Sequence, residues 1–140
     1  MSSRSLRLLA LVLGANISTV TSASTWVVVF EGPAATAWVD TDTIRRKGSK
    51  IKTWVKIQFP TPTPIYKDKP TPTFRFARQL YELNCQNRTT ATIQTHRYLL
   101  EASPPVDSDI TPENLLSHKD VVPDTIGESV LDFSCKFRSR

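Results

Sequence analysis

Ile51-Lys52-Thr53-Trp54-Val55-Lys56-Ile57-Gln58-Phe59 carries the fold in its period. Successive side chains of an extended strand point to opposite faces. Ile51, Thr53, Val55, Ile57 and Phe59 therefore share one face, and Lys52, Trp54, Lys56 and Gln58 share the other. One face is core and the other is wet. Upstream, Trp26 to Phe30 is a β-branched run suited to a buried strand, and Ala37 to Asp40 makes a shorter strand before Thr43-Ile44. Arg46-Lys47-Gly48-Ser49 supplies a glycine turn between that segment and the strand quoted above. Downstream, Phe74 to Cys85 and Thr90 to Leu100 form two long strands joined by Gln86-Asn87-Arg88. Neighbours joined by turns this short pair antiparallel.

Two stretches interrupt this reading. Pro60-Thr-Pro-Thr-Pro64, Ile65 to Lys69, and Pro70-Thr-Pro72 are too rich in residues without a backbone donor to make another central strand, so a long loop is expected from Pro60 to Pro72. Such a segment favours an extended, polyproline-like course, either presenting Tyr66 and its lysines to a partner or serving as a stiff connector. The second stretch, Ala102 to Asp120, is polar, with Thr111-Pro112-Glu113 placed to start one or two helical turns.

At the C-terminus the period changes. Thr125-Ile126-Gly127-Glu128 has the form of a capping box, and Ile126, Val130, Phe133 and Phe137 then recur at spacings of four, three and four, as one stripe of a helix does. Cys135 falls half a turn from Ile126 on an ideal helix, so either the apolar face is broad or the helix ends before the cysteine; the second is expected.

The chain opens with Arg4 and Arg7, an apolar run from Leu8 to Leu13, and a polar exit at Thr21-Ser22-Ala23. That order is the order of an export signal, with cleavage expected after Ala23. The apolar run is far short of the ~20 residues of a membrane span, and no later segment is longer or more apolar. No cysteine lies near the exit, so no lipid anchor is expected. Residues 24–140 then form a single domain with one modest core. Of 18 basic and 13 acidic residues the signal carries two and none, which leaves the mature domain at a charge of +3. In an exported chain the two cysteines, Cys85 and Cys135, predict one structural disulfide. It would tie the end of a strand to the end of the helix, with ~4 kcal/mol of stabilisation in the chain-entropy picture. The expected architecture is α+β: a small antiparallel sheet of about five to six strands, a C-terminal helix packed on it, and one disulfide between them.

Trp38-Val39-Asp40, Thr43-Ile44, Arg46-Lys47-Gly48, Thr53-Trp54, Leu80-Tyr81-Glu82-Leu83-Asn84-Cys85, Arg88, Tyr98, Val122-Pro123 and Cys135 follow one another in an order that resembles the surface-adhesin protein E-like domains of bacteria. The resemblance covers nearly the whole mature chain. It implies the same disulfide-held sheet and helix, a place in the bacterial envelope, and, as for the family's namesake, adhesion to host matrix and plasma proteins. The family's lipoprotein members carry a lipid-accepting cysteine that this chain lacks.

Candidate binding residues follow from charge and from one misplaced aromatic. Arg45, Arg46, Lys47 and Lys50 crowd four positive charges around the glycine turn, as a site for anionic glycans or as a charged edge that discourages sheet-to-sheet association. Trp54 stands on the wet face between Lys52 and Lys56, where it would anchor a partner under lysine stems or be covered by the C-terminal helix or a loop. A weak homodimer through a sheet face or edge is expected. His96 reads as a cross-strand hydrogen-bonding residue, His118 as a solvated loop residue, and Asp40 as a capping group before Thr43. The two histidines share no metal-ligand spacing, and no nucleophile elbow, phosphate-binding glycine loop or zincin helix occurs. Hence neither catalysis, metal nor cofactor is expected. Export and the core-like spacing of Phe74, Phe76, Tyr81 and Tyr98 argue against nucleic acid. The expected function is an exported envelope binding module for a host matrix protein or an anionic glycan; the alternative is a periplasmic structural or accessory protein with an envelope partner.

Overall fold

The alternating stretch forms most of the longest strand among the described residues. The computed structural model describes residues 23–138. In chain order they form β1 (Trp26–Glu31), β2 (Thr36–Asp40), β3 (Arg45–Lys47), β4 (Lys50–Pro64), β5 (Thr73–Asn84), β6 (Thr89–Tyr98), β7 (Asp107–Ile110), β8 (Lys119–Asp120) and α1 (Ile126–Lys136), with single 3-10 turns at Thr41–Thr43 and Glu113–Leu115. The eight strands make one antiparallel sheet in the order β1-β2-β4-β5-β6-β7; β3 pairs with β4 and β8 with β6. The proposed export signal lies almost wholly outside the described residues.

The sheet thus has more strands than the five or six expected. The additional ones are short: β3 is the near arm of the Gly48-Ser49 hairpin, and β7 and β8 share the outer edge of β6 at different heights. Asp107-Ser-Asp-Ile110 and Lys119-Asp120 have no apolar period of their own. Each is a strand because β6 offers it a ladder.

The proline-rich stretch also departs from expectation. β4 continues through Pro60, Pro62 and Pro64, with an irregularity after Gln58 that restores pairing at Thr63 opposite Phe74 and Pro64 opposite Thr73. β2 stops pairing at Gln58, so beyond that point β5 is the only strand neighbour of β4 among the described residues. A one-sided extension tolerates residues with no donor to give. Only Ile65 to Pro72 forms the connecting loop, where Tyr66 is half exposed beneath the Lys69 ammonium.

The helix begins where the capping box places it. Thr125 is the N-cap, its Oγ1 accepting from the Glu128 amide at 3.3 Å, while the Glu128 carboxylate accepts from the Asp124 amide at 2.8 Å. It does not end before the cysteine: α1 runs through Cys135 to Lys136. The physical reason is the broad apolar face, since Val130, Leu131 and Ser134 are buried while Ile126, Phe133 and Cys135 also pack on the core. The helix lies across β1, β2 and β4 and closes the face formed by Ala37, Val39, Ile51, Thr53, Val55, Ile57 and Leu83. Cys85 and Cys135 are bridged, with Cα atoms 5.8 Å apart, and so join the end of β5 to the last turn of α1. Arg88, at the β5–β6 turn, holds the helix from its other flank through Asp132 and Glu128.

Candidate functional site

Register divides the basic hairpin between two duties. Arg45 lies opposite Lys52, Arg46 opposite Ile51, and Lys47 opposite Lys50. Because Ile51 faces the helix, so does Arg46, and its guanidinium donates to the carbonyls of Ser134 and Cys135 at 3.4 and 3.0 Å. It neutralises the unsatisfied carbonyl end of α1 beside the disulfide. Arg45 and Lys47 lie on the opposite, open face with Lys50 and Lys52. Gly48 makes this hairpin feasible, since its φ of +61° is one that other residues adopt only under strain.

On that open face the hairpin overhangs a cleft of about 680 Å³ lined by Arg45, Arg46, Lys47, Lys50, Lys52, Glu82, Glu113, Leu116 and His118. Its floor is Glu82, placed opposite Lys52 by the β4–β5 register and only 7% exposed. Lys50 Nζ reaches Glu82 at 3.1 Å, Lys52 Nζ at 3.7 Å, and His118 Nε2 lies 2.9 Å from Glu82 Oε1. Burial works to raise the Glu82 pKa, but hydrogen bonds to Lys50 and His118 and the charges of Lys50 and Lys52 outweigh it and hold the carboxyl below its ordinary value. Lys52 also meets Glu113 at 3.0 Å; that hydrogen bond is the main reason its pKa is raised, with burial opposing and the Glu113 and Glu82 charges adding. His118 is exposed in a loop, as expected, and through Glu82 it also ties the β7–β8 connection to the sheet.

The other predicted binding residues do not join the cleft. Trp54 is half-buried further along β4 and stacks on His96, with centroids 5.9 Å apart; the flanking lysines do not lie over it. Lys52 turns to the carboxylates, and Lys56 sits over the rings of Trp38 and Trp26 at 4.7 and 5.4 Å, fastened to Glu101 at 2.7 Å. Tyr66 lies in the β4–β5 connection. His96 takes the cross-strand role read from the sequence, with Nδ1 2.7 Å from Ser108 Oγ, and Asp40 caps the 3-10 turn by accepting from the Asp42 amide. Sequence reading missed Glu82, Glu113 and His118 as partners. The one local signal was Glu82, a carboxylate set between the apolar Tyr81 and Leu83.

A cleft in which cations outnumber carboxylates is fitted to hold an anionic group, and among the described residues no cluster could ligate a metal ion. Nor is any described helix long and apolar enough to cross a membrane. The structure defines a one-sheet α+β domain stapled by a disulfide, and its fold is similar to that of solved protein E structures. Protein E from non-typeable Haemophilus influenzae superposes with a TM-score of 0.54 at 15% identity, covering 83% of this chain and 78% of that one. A second crystal form of Haemophilus influenzae protein E gives 0.52 at 16%, covering 71% and 79%. Residues 26–136 match the Surface-adhesin protein E family, and the chain belongs to it. No curated protein sequence matches the chain.

Proposed function

We propose that this protein is a surface-adhesin-type binding module that engages the acidic groups of an anionic glycan through the cleft beneath the β3–β4 hairpin. Membership of the adhesin family supports binding over turnover. The observation that carries the glycan reading is the convergence of Arg45, Lys47, Lys50 and Lys52 on one cleft facing only two carboxylates, Glu82 and Glu113. Lys50 and Lys52 are already paired, so the charge left for a ligand resides on Arg45 and Lys47. Arg45 donates to the carbonyls of Asp42 and Ile44, which fix its guanidinium without neutralising it. Sulfate or uronate groups complement such fixed charges. A host matrix protein displaying these glycans would be held through the same contacts.

The test is elution of the full chain from a heparin column. Arg45→Gln with Lys47→Gln is expected to shift elution to clearly lower salt, and an unchanged elution position would remove the reading. Arg46 also lines the cleft, but the Ser134 and Cys135 carbonyls hold its guanidinium at the helix end, so Arg46→Gln is expected to shift elution less than the double substitution.

A further inference from the structure

We infer that the ligand is a linear sulfated polysaccharide gripped at two separated points, the cleft at one end and Arg78 at the other, with its sugar rings crossing Trp54 and His96. This rests on the cleft reading above and adds the length and class of what is bound. Register places Arg45, Lys47, Lys50, Lys52, Lys56 and Arg78 on the open face, and the carboxylates that reach them are Glu82, Glu101 and Glu113. Those carboxylates compensate Lys50, Lys52 and Lys56, the last with only 15% of its side chain exposed. Arg45, Lys47 and Arg78 remain without a carboxylate partner among the described residues. Arg78 instead lies over the Tyr98 ring at 5.3 Å, an arrangement that fixes the guanidinium and leaves its charge available.

The uncompensated cations therefore fall in two places. Lys47 is opposite Lys50 and Arg78 is opposite Lys56, which separates them by six residue steps of β4, about 20 Å at the rise of an antiparallel strand. No compact anion bridges that distance. Between the two points on β4 lies Trp54, and His96, which register sets opposite Arg78, stacks on it within 19° of parallel and carries the aromatic surface on to the second point. Sugar rings present C–H groups to aromatic surfaces, whereas an acidic peptide or a single sulfate has no comparable use for them. Charge at both ends with aromatic surface between them thus matches a sulfated chain.

Calorimetric titration of the intact protein with size-fractionated heparin fragments, from disaccharide to dodecasaccharide, tests the inference. Affinity is expected to step up once a fragment spans from the cleft to Arg78. Arg78→Gln, at a partly buried site outside the core, is expected to weaken the long fragments about fivefold while leaving the disaccharide unchanged. A disaccharide that binds as well as the dodecasaccharide, or a length step untouched by Arg78→Gln, overturns the two-point grip while the cleft reading stands. A polyglutamate of matched length and charge that binds as tightly as the dodecasaccharide overturns the polysaccharide class. Loss of all binding, disaccharide included, by the unmodified protein removes the cleft reading and this inference together.

Discussion

The two faces of β4 are built from alternate residues of one strand and behave as different materials. On one face Ile51, Thr53 and Val55 are fully buried and Ile57 is 7% exposed, sealed under α1. On the other, Lys50, Lys52, Trp54 and Lys56 are held by ion pairs and ring stacking within reach of water. Burial of apolar area stabilises by ~25 cal/mol per Å², whereas a solvent-exposed ion pair contributes ~0–1 kcal/mol. Stability therefore sits on the helix side, and the proposed recognition on the open side. Arg45 and Arg46 show where the boundary runs: adjacent in sequence and alike in charge, both line the cleft, but only Arg46 reaches on to the carbonyls at the helix end.

The strongest way to break the comparison is to unfasten the covered face alone. The disulfide closes a loop with a sequence separation of 50. Replacing Cys85 and Cys135 together by alanine should cost about 4 kcal/mol, read as a lower urea midpoint. Heparin elution of the molecules that remain folded should be unchanged, because neither sulfur contributes charge to the open face. Next in size, Ile51→Ala should cost about 3 kcal/mol, since a fully buried side chain leaves a cavity under α1. Lys47→Ala, across the hairpin and exposed, should change stability by less than about 0.5 kcal/mol while moving heparin elution. A pair of variants that failed to separate in this way would dissolve the division between the faces.

How much of this was legible in the sequence depends on whether the cause was local. β4 to β6 were readable because period two is written into each segment, and the helix start was readable because Thr125 and Glu128 cap within a single turn. Pro60 to Pro64 misled because proline forbids a second ladder partner, and only the topology reveals that β4 has one neighbour there. β7 and β8 left no trace, as their strand character comes from β6. The helix end misled because one stripe is narrower than the whole apolar face, which Leu131 and Ser134 widen to reach Cys135. The basic half of the cleft was visible because its residues are contiguous. Its acidic half was not, since His118 lies 36 positions from Glu82 and Glu113 lies 61 from Lys52.

A subtler test sharpens the view of the open face as electrostatic. Glu82 releases its proton more readily in the folded chain than an ordinary carboxyl does. The unfolded state therefore binds the proton more tightly, so stability should be full at neutral pH and should fade as pH falls through the ordinary carboxyl value near 4.5 toward the lower folded one. With Lys50 and Lys52 half exposed, solvent screening keeps the effect small. Thermal melts between pH 7 and pH 3 should show Glu82→Gln less stable at neutral pH and less sensitive to acid. Parallel pH profiles for the two proteins would mean that the carboxylate does not organise the cleft.

The smallest expected effect concerns Glu113, and it separates structure from occupancy within the cleft. Its side chain is 81% exposed, and its carboxylate rests on Lys52 where an anionic group of a ligand would otherwise lie. An exposed pair of this kind adds little to folding, so Glu113→Gln should leave the melting temperature within a degree or two. The same substitution removes a built-in competitor and restores one positive charge to the ligand. Heparin affinity should therefore rise about two- to threefold at low salt, and the gain should shrink as added salt screens the cleft. An affinity that falls instead would identify the Lys52–Glu113 contact as part of the binding surface, a strap that the ligand requires in place and does not displace.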